Sequence, residues 1–507
     1  MVDDGMERLA ARLGEASARA RSGRRTVLLS VVERLASANP VGLIAACDDD
    51  DLRAALAPIG ADDRMYWARP NEQFAIAGLG AATTLTARGP DRFAEIERAW
   101  NALVDTAITE DADDAPAGIG PLLMGGAAFE PEGPHSARWD GFSGADFIVP
   151  RFLVTTTADG SWLTTTILVG SDGTPDVAPD TLGTIRDSLV QLLRRSPESA
   201  SASKRTALRY TDLSAPSEWR ELVQSAVDAI GYGFFQKVVL ARAVQAVSPV
   251  AFDVAAVLRH LRTVHPDSFI FACWRGERVF VGASPERLVR LDEREVLASS
   301  LAGSARRGVD AEEDALLASE LLGSAKDAYE HSVVVRALRD TLGQLCDDVQ
   351  AASTPSVLTL PHMHHLHTIV RARLRDGHSL LELVGRVHPT PAVGGTPRDA
   401  ALAFIRSNER LDRGWYAAPV GWLGRDRGEF AVALRSALIR GDEATLYAGC
   451  GVVRDSDPDL EYAESVLKLQ PMMKALAAAQ GAGELASEAT GDGRASARGR
   501  STNDDRA

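Results

Sequence analysis

Short apolar runs separated by polar turns dominate the first half of the chain, a pattern typical of β-strands. Apolar and β-branched residues predict strands at Thr26–Val32 and Ser161–Val169. Met65–Pro70 and Phe74–Leu79 are predicted to pair across a polar turn. The segment Met1–Arg25 mixes charged and apolar residues, which indicates an amphipathic helix or a frayed end.

The second half alternates helical and strand-like patterns. Apolar residues at three- and four-residue steps predict helices at Ser217–Ile230, Asp314–Leu322, Glu330–Leu345 and Leu460–Ala479. Apolar runs predict strands at Lys237–Val244, Val279–Ala283, Glu429–Arg440 and Ala444–Ala448. The last two strands are expected to form a hairpin that turns at Gly441 and Asp442.

Composition shifts divide the chain into three parts. Ser196–Lys204 is polar and rich in serine and alanine, so we interpret it as a connection between two halves. Residues 1–205 form a β-rich N-terminal half, and residues 206–476 carry the alternating pattern. Residues 477–507 combine Gly, Ala and Ser with mixed charge and no apolar periodicity, which predicts a disordered tail.

The overall composition excludes several classes of protein. The 507 residues are 45% hydrophobic and 25% charged, as in soluble proteins. The formal net charge of −15 repels phosphates and argues against nucleic-acid binding.

No apolar run approaches the ~20 residues of a membrane span, and the N-terminus lacks a secretory signal pattern, so we expect a cytoplasmic protein without a membrane partner. Disulfides and a cysteine zinc site are disfavoured because four cysteines lack paired spacing.

Two residues at strand ends are candidates for proton transfer. Lys237 opens an apolar strand, where it is either a snorkelling edge lysine or a partly buried base. Glu286 ends the small-residue segment Gly282–Glu286, which can aim a carboxylate into a cleft. Most glutamates in such turns are simply solvated, so the pattern alone leaves both interpretations open.

Two pairs of acidic residues are candidates for a metal site. Asp327 and Glu330 are three residues apart, as are Glu461 and Glu464, so each pair shares one face of a helix. Grouped carboxylates repel unless a cation lies between them, and oxygen ligands suit Mg²⁺. The alternative is that acidic residues only cover helix surfaces. Lys468, one turn beyond Glu464, could meet a substrate carboxylate beside the metal.

Further candidates for ligand contact are three small-residue segments and one arginine. Leu301–Ser304, His388–Gly395 and Tyr447–Gly451 are interpreted as turns whose glycines permit close approach of a ligand. Arg435 is predicted in the middle of an apolar strand, where a guanidinium seeks a carboxylate partner.

The histidine-rich segment His362–His367 raises the alternative of a zinc site. In a strand, however, His362 and His364 would share one face, while His365 and His367 would share the other. No glutamate or cysteine stands at a matching ligand spacing, so we disfavour zinc.

In their order along the chain, these motifs resemble the chorismate-utilising family, which includes anthranilate, aminodeoxychorismate, isochorismate and salicylate synthases. The matching segments are Lys237–Arg242, Ala283–Arg287, Leu301–Arg306, Lys326–His331, His388–Ala392, Gly421–Trp422, Leu434–Ala437, Ala448–Gly451 and Glu461–Glu464. Upstream segments are similar to the longer, menaquinone-pathway type of isochorismate synthase: Tyr66–Pro70, Ala75–Gly80, Gly125–Phe129 and Trp139–Phe142. An Arg-Pro pair after Trp67 and an acidic insertion near Asp111 depart from the shorter members.

The resemblance implies an α/β (α+β) fold: a single large two-lobed domain with packed antiparallel β-sheets surrounded by helices. The seam at Ser196–Lys204 would then be a surface connection within one domain. The implied reaction is that of isochorismate synthase, with water added at C2 of chorismate and the C4 hydroxyl lost. Lys237 would be the base and Glu286 the acid.

Residues that differ between the enzymes of the family distinguish its members. Aminating enzymes generally lack a lysine at the position of Lys237, and aminodeoxychorismate synthases often carry a lysine where this chain has Ala302. Salicylate synthases tend to have threonine at Ala392, while Tyr416 does not discriminate. We therefore expect isochorismate synthase in menaquinone biosynthesis. The alternatives are a salicylate synthase, a siderophore-pathway isochorismate synthase, an aminating enzyme and a non-catalytic binding subunit.

Motif matching also implies the ligands of the site. Mg²⁺ is the expected cofactor, bound by Glu330 and Glu464, with Asp327 and Glu461 as supporting acidic residues. Contacts to chorismate are expected from Gly303, Ser304, His365, Ala392, Tyr416, Arg435, Gly449 and Lys468. We expect a monomer that needs no glutaminase subunit.

Overall fold

The computed structural model describes residues 5–47, 56–60, 62–110, 116–194 and 207–481. Within these residues the helices are α1 (Gly5–Gly23), α2 (Pro40–Ala46), α3 (Arg92–Val104), α4 (Pro179–Arg194), α5 (Pro216–Gly231), α6 (Val254–Val264), α7 (Ala311–Gly323), α8 (Ala325–Leu345), α9 (Leu380–Val387), α10 (Arg398–Asn408) and α11 (Pro458–Ala479).

The N-terminal strands are β1 (Val27–Leu35), β2 (Arg64–Arg69), β3 (Phe74–Ala87), β4 (Ile108–Glu110), β5 (Leu123–Ala127), β6 (Ala145–Thr157) and β7 (Gly160–Val169). The remaining strands are β8 (Arg209–Asp212), β9 (Lys237–Val247), β10 (Phe269–Arg275), β11 (Arg278–Ser284), β12 (Arg287–Asp292), β13 (Glu295–Arg306), β14 (Cys346–Ala351), β15 (Ser356–Thr359), β16 (Met363–Leu374), β17 (Gly395–Thr396), β18 (Pro419–Leu423), β19 (Arg427–Val432), β20 (Ser436–Arg440) and β21 (Glu443–Val452).

Hydrogen bonds join these strands into one network with two arms. The first arm runs β8–β9–β21–β20–β11–β10, and β17 also pairs with β9. The second arm runs β18–β19–β12–β13–β16, with β14 and β15 along β16. Pairing is antiparallel throughout the described strands except between β1 and β4. The expected mixed fold of antiparallel sheet and helices is confirmed.

Strands of the N-terminal half connect the two arms. β2 pairs with β10 of the first arm, and β5 pairs with β18 of the second. Between them β3 and β6 pair along most of their length, and β6 also pairs with β5. The two arms therefore hold their relative position through hydrogen bonds to the N-terminal strands. The three-part division of the chain itself stays a prediction.

At two points a short segment carries the chain directly from a strand of one arm to a strand of the other. Pro285 and Glu286 link β11 of the first arm to β12 of the second, and 433–435 link β19 of the second arm to β20 of the first. The two crossings are joined because Ala283 N donates to Arg435 O at 3.1 Å and Val432 N donates to Glu286 O at 3.1 Å. These paired crossings split the sheet beside the site described below.

Strands of the core are buried on both faces, which explains their continuous apolar sequences. In β10, Phe271 and Cys273 pack into one hydrophobic cluster, whereas Ile270 and Ala272 pack into a second cluster on the opposite face. All four side chains are fully buried. Burial of this kind supplies the dominant stabilising contribution, at roughly 25 cal/mol per Å² of apolar surface.

Most predicted elements are confirmed, with β3 and β9 longer than expected and with the two-residue hairpin turn after Arg440 in place. Three predictions are wrong. Glu429–Arg440 is not one strand, because the crossing at 433–435 interrupts it. Leu301–Ser304 and Tyr447–Gly451 are strand segments of β13 and β21 rather than turns, since backbone pairing with β16 and β9 extends through their small residues.

Several expectations fall on parts of the chain that the structure leaves undescribed. They are the seam at 196–204, the acidic insertion at 111–115 and most of the C-terminal tail, of which 482–507 lie outside the described residues. Within the described ranges, no helix is long and apolar enough to cross a membrane.

Candidate active site

One cleft between the two arms of the sheet contains every candidate residue. All fourteen residues predicted for catalysis, substrate and metal line it: Lys237, Glu286, Gly303, Ser304, Asp327, Glu330, His365, Ala392, Tyr416, Arg435, Gly449, Glu461, Glu464 and Lys468. Tertiary structure thus brings together residues that lie up to half the chain apart.

Lys237 begins β9 and points into the cleft with only 2% of its surface exposed. Its Nζ lies 2.7 Å from Glu330 Oε1 on α8, so the lysine is a buried ion-pair partner and not a snorkelling edge residue. Gly451 on the neighbouring strand β21 makes room for this pair. A Cβ there would lie 2.5 Å from Glu330 Oε1 and 3.0 Å from Lys237 Cε.

Glu286 lies at the first crossing between the arms and is 2% exposed. Its backbone N donates to Ser284 Oγ at 3.2 Å, which fixes the turn. The side-chain Oε1 is buried, and no described residue forms a hydrogen bond with it. Burial raises the pKa of Glu286 to about 8, against the opposing charges of Lys237, Lys468 and Arg435. The carboxyl group is therefore protonated at neutral pH and can donate a proton.

The two predicted acidic pairs face each other from different helices. Asp327 and Glu330 are on α8, and Glu461 and Glu464 are on the first turns of α11. Burial, assisted by the charge of Glu464, raises the pKa of Glu461 to about 7. Burial also raises the pKa of Asp327, although Ser324 donates a hydrogen bond to it. Both shifts arise mainly from burial, with a smaller contribution from the neighbouring carboxylates.

The pKa of Glu330 is lowered, whereas those of its neighbours Asp327 and Glu461 are raised. Burial alone would raise it, but the charge and hydrogen bond of Lys237 outweigh burial and hold it below its usual value. Glu330 is therefore an ionised carboxylate in this structure, with Lys237 in direct contact and the charges of Lys468 and Lys326 adding to the effect.

Three lysines each contact a different carboxylate of this acidic cluster. Besides the Lys237 contact, Lys468 Nζ lies 2.6 Å from Glu464 Oε1 and donates to Gly449 O at 3.0 Å. Lys326 Nζ lies 3.5 Å from Glu461 Oε1. The ammonium groups thus supply, one by one, the positive charge that the cluster requires.

Cys450 is close to the acidic cluster but is a poor metal ligand. Its sulfur and carboxylate oxygens of Glu461 and Glu464 lie within 4.8 Å of one another. Burial raises the pKa of the Cys450 thiol well above its usual value, and the thiol donates to the backbone oxygen of Glu461 at 3.2 Å. A neutral thiol does not compete with carboxylates for a hard cation.

A glycine bulge positions the polar groups on the opposite wall. The pairing of β13 with β16 shifts register between Ala302 and Ser304, and Gly303 between them has φ 81°. A Cβ at Gly303 would lie 3.0 Å from Asp327 Cβ, so glycine also permits α8 to approach. The bulge directs Ser304 Oγ to within 2.9 Å of His365 Nδ1.

Arg435 completes a chain of polar contacts from Ser304. Its Nη2 lies 3.2 Å from His365 Nε2, and burial lowers the pKa of His365 well below its usual value, so the ring is a neutral acceptor there.

The backbone of Arg435 has a positive φ of 49°. A non-glycine residue in this left-handed region is strained, and here the strain bends the chain from one arm into the other. Arg435 is therefore at a crossing and not mid-strand, as its apolar neighbours suggested.

Aromatic packing forms the remaining wall of the cleft. Tyr416 stacks on Tyr447 with ring centroids 5.3 Å apart and planes 17° apart. His388 Nε2 donates to Ala417 O at 3.0 Å and so connects the segment that bears Ala392 to the segment that bears Tyr416. A Cβ at Gly449 would lie 2.8 Å from Leu240 O and 3.1 Å from the Tyr416 hydroxyl, which explains the glycine.

The sequence patterns missed a buried ion pair at the wall of the site, where Arg413 lines the cleft. Arg413 donates to Glu409 Oε1 at 2.6 Å, to Val239 O at 2.7 Å and to Val393 O at 3.0 Å. Glu409 Oε2 accepts from Ala241 N at 2.8 Å. This pair joins β9 to the loop that bears Ala392. Its spacing of four residues is that of an ordinary surface helix pair, so only the fold reveals its burial.

The histidines of the zinc alternative belong to separate hydrogen-bond networks. His364 Nε2 lies 2.9 Å from Asp314 Oδ1 and its Nδ1 lies 3.0 Å from Thr359 Oγ1. His365 instead faces the cleft. The two rings therefore leave opposite faces of β16, as strand alternation requires.

Comparison with known proteins agrees with this geometry. The family model described as chorismate binding enzyme matches residues 15–477. The chain belongs to the chorismate-binding enzyme family. Among curated relatives, the salicylate biosynthesis isochorismate synthase of Pseudomonas aeruginosa is 40% identical over 87% of this chain and 92% of its own length. Isochorismate synthase MenF of Bacillus subtilis is 35% identical over 82% of this chain and 88% of its own length.

Solved structures of chorismate-binding enzymes share the fold. The menaquinone-specific isochorismate synthase MenF of Escherichia coli is 24% identical, with a TM-score of 0.72, covering 93% of this chain and 99% of that one. The putative 2,3-dihydroxybenzoate-specific isochorismate synthase DhbC of Bacillus anthracis is 26% identical, with a TM-score of 0.65, covering 84% of this chain and 99% of that one.

The raised pKa of Glu286 predicts an effect on stability. Because its pKa in the folded chorismate-binding enzyme exceeds the ordinary value of 4.5, ionisation opposes folding as pH rises from about 4.5 to about 8. Glu286→Gln cannot ionise. In metal-free buffer, its melting temperature should therefore exceed that of wild type by a margin that grows up to about pH 8 and then levels off. Thermal melts across pH test this, with exposed Glu320→Gln as the control, and a constant margin would contradict it.

Proposed function

We propose that this chain is an isochorismate synthase, which converts chorismate to isochorismate. The observation that carries the proposal is one cleft that places a buried lysine, Lys237, with a protonated buried carboxyl group, Glu286. The relatives that resemble the chain over most of their length bear the same activity in their names. Lysine and carboxyl group are the base and the acid that the reaction needs.

The reaction exchanges one hydroxyl group of the ring for another. Water adds at C2, the ring double bonds shift, and the C4–O bond breaks. A base must remove a proton from the attacking water, and an acid must protonate the leaving C4 hydroxyl so that it departs as water. The proton count therefore balances, and no external oxidant or reductant is needed.

Lys237 is assigned the base. In this structure its ammonium group is paired with Glu330 at 2.7 Å, and an ammonium ion cannot accept a proton. The base role therefore requires that Lys237 give up its proton and its Glu330 partner when the cleft is loaded. Its position at the first residue of a buried strand keeps the amine directed into the cleft during that exchange.

Glu286 is assigned the acid. Its raised pKa keeps the proton on the carboxyl group up to about pH 8, and its Oε1 has no hydrogen-bond partner among the described residues. The carboxyl group is thus free to hydrogen-bond with a substrate hydroxyl. A protonated carboxyl group in an apolar environment is an effective general acid at neutral pH.

Mg²⁺ is proposed as the cofactor because the donor set fits a hard cation. Four carboxylates face one another across the cleft, and oxygen ligands with few protein donors suit Mg²⁺. Glu330 and Glu464 are assigned as ligands, with Asp327 and Glu461 in support. When bound, Mg²⁺ would supply the positive charge that lets a substrate carboxylate lie beside these acidic groups.

Other residues of the cleft are assigned to substrate orientation. The Arg435 guanidinium is assigned to the enolpyruvyl carboxylate and Lys468 to the side of the ring carboxylate. Ser304 and His365 form a hydrogen-bonded pair that can accept and donate near the ring hydroxyls. The small side chain of Ala392 leaves the wall open beside them. Gly303, Tyr416 and Gly449 shape the pocket around the ring.

The pathway is proposed as menaquinone biosynthesis, the expectation from the long N-terminal half. The presence of the N-terminal half does not by itself distinguish the pathways, because the relative named for salicylate biosynthesis also aligns over 92% of its length. Deletion of the gene from its own organism separates the cases: menaquinone should be lost, because its isochorismate would no longer be made. Loss of a siderophore with menaquinone unchanged would contradict this assignment. Cytoplasmic location and a monomeric state stay predictions.

Product analysis tests the proposed reaction directly. With chorismate and Mg²⁺, the purified protein should form isochorismate as its main product, released without pyruvate and without dependence on ammonia. Chelation of the metal should abolish turnover, and added Mg²⁺ should restore it. Chromatography of the reaction mixture measures all three species. Pyruvate and salicylate as main products would instead identify a salicylate synthase, and an aminated product would identify an aminating enzyme.

Substitution of the acid and the base tests their roles. Lys237→Ala and Glu286→Gln should each lower kcat by ~10²–10⁴-fold, the usual contribution of a positioned acid or base. Wild-type kcat/KM should fall as pH rises above about 8, where Glu286 loses its proton. Steady-state kinetics across pH measure both effects, with circular dichroism to verify the fold. Near-wild-type activity in either variant would remove the corresponding assignment.

A further inference from the structure

Lys326 occupies an unusual position at the acidic cluster. It lies in the first turn of α8, next to Asp327, with its Nζ 3.5 Å from Glu461 Oε1. The charges of Glu461, Glu330, Asp327 and Glu464 all act on its ammonium group. One lysine thus faces the four carboxylates that we assign to Mg²⁺.

The contact of Lys326 differs from those of the two deeper lysines. Lys237 and Lys468 contact their carboxylates at 2.7 and 2.6 Å, and their side chains are 2% and 16% exposed. The Lys326 side chain is 40% exposed, and its contact of 3.5 Å is the longest of the three. An exposed ammonium group regains water as soon as it moves outward, so this contact is the least costly to break.

The deeper lysines also have assigned roles in the cleft, whereas Lys326 has none in the reaction. Two cations close to the same carboxylates repel each other, so an ammonium group at Glu461 opposes the arrival of a divalent cation. An exposed, flexible lysine relieves that repulsion by swinging into solvent, which Lys237 cannot do because it is buried on every side.

We propose that Lys326 is an exchangeable counter-ion of the metal-free cleft, which covers the acidic cluster until Mg²⁺ binds and thereby sets the affinity for the metal. The inference rests on the Mg²⁺ dependence proposed above. Removal of one unit charge at this distance in a solvent-exposed position should tighten Mg²⁺ binding by about 3–10-fold.

Calorimetric titration with MgCl₂ at fixed ionic strength tests this without any reliance on turnover. Lys326→Met keeps an unbranched side chain that is one atom shorter and removes its charge, so it should bind Mg²⁺ more tightly than wild type. Lys326→Arg keeps the charge and should retain wild-type affinity. Lys474→Met is the matched control, because Lys474 is an exposed lysine of α11 that does not line the cleft. Its affinity should equal that of wild type.

The outcomes separate this inference from the proposed function. Absence of Mg²⁺ binding in wild type would overturn the cofactor assignment itself. Binding in wild type with unchanged or weaker binding in Lys326→Met would overturn only the role of Lys326. Equal tightening in Lys326→Met and Lys326→Arg would point to a change of shape, and it would also overturn the charge argument.

Discussion

The paired crossings between the two arms are the constraint on which the rest of the structure depends. At Pro285–Glu286 and at 433–435 the chain leaves one arm of the sheet and enters the other, and hydrogen bonds join the two crossings. A continuous sheet would have no cleft there. The crossings create the cleft and place Glu286 and Arg435 at its base. The bend requires a strained, left-handed backbone conformation at Arg435.

Charge balance is the second constraint. Four carboxylates face one cleft, and the structure neutralises three of them one by one with Lys237, Lys326 and Lys468. Glu286 lies beyond this pairing and keeps its proton because burial outweighs the charges of the nearby cations. The same polypeptide therefore holds ionised carboxylates for a cation and a neutral carboxyl group for proton donation within one pocket. Their environments, not their residue types, set the difference.

Among the residues that the structure describes, the N-terminal half contributes through backbone pairing, and none of its side chains lines the cleft. β2 extends the first arm and β5 extends the second, so these strands fix how far apart the two walls lie. The buried pair of Arg413 and Glu409 has a related effect closer to the chemistry, since it joins β9 to the loop that bears Ala392. Rigid support of this kind is needed where acid and base must meet the same ring.

The sequence by itself determined the chemistry-bearing residue types and most local elements. Apolar periodicity located α8 and α11, and the three-residue spacing of Asp327 with Glu330 determined that both would share one helix face. Tertiary structure alone decided which helices face each other, that Lys237 would pair with Glu330, and that the apolar run around Arg435 would bend. Local sequence could not decide these features, because burial, long-range ion pairs and backbone strain arise only when distant segments pack together.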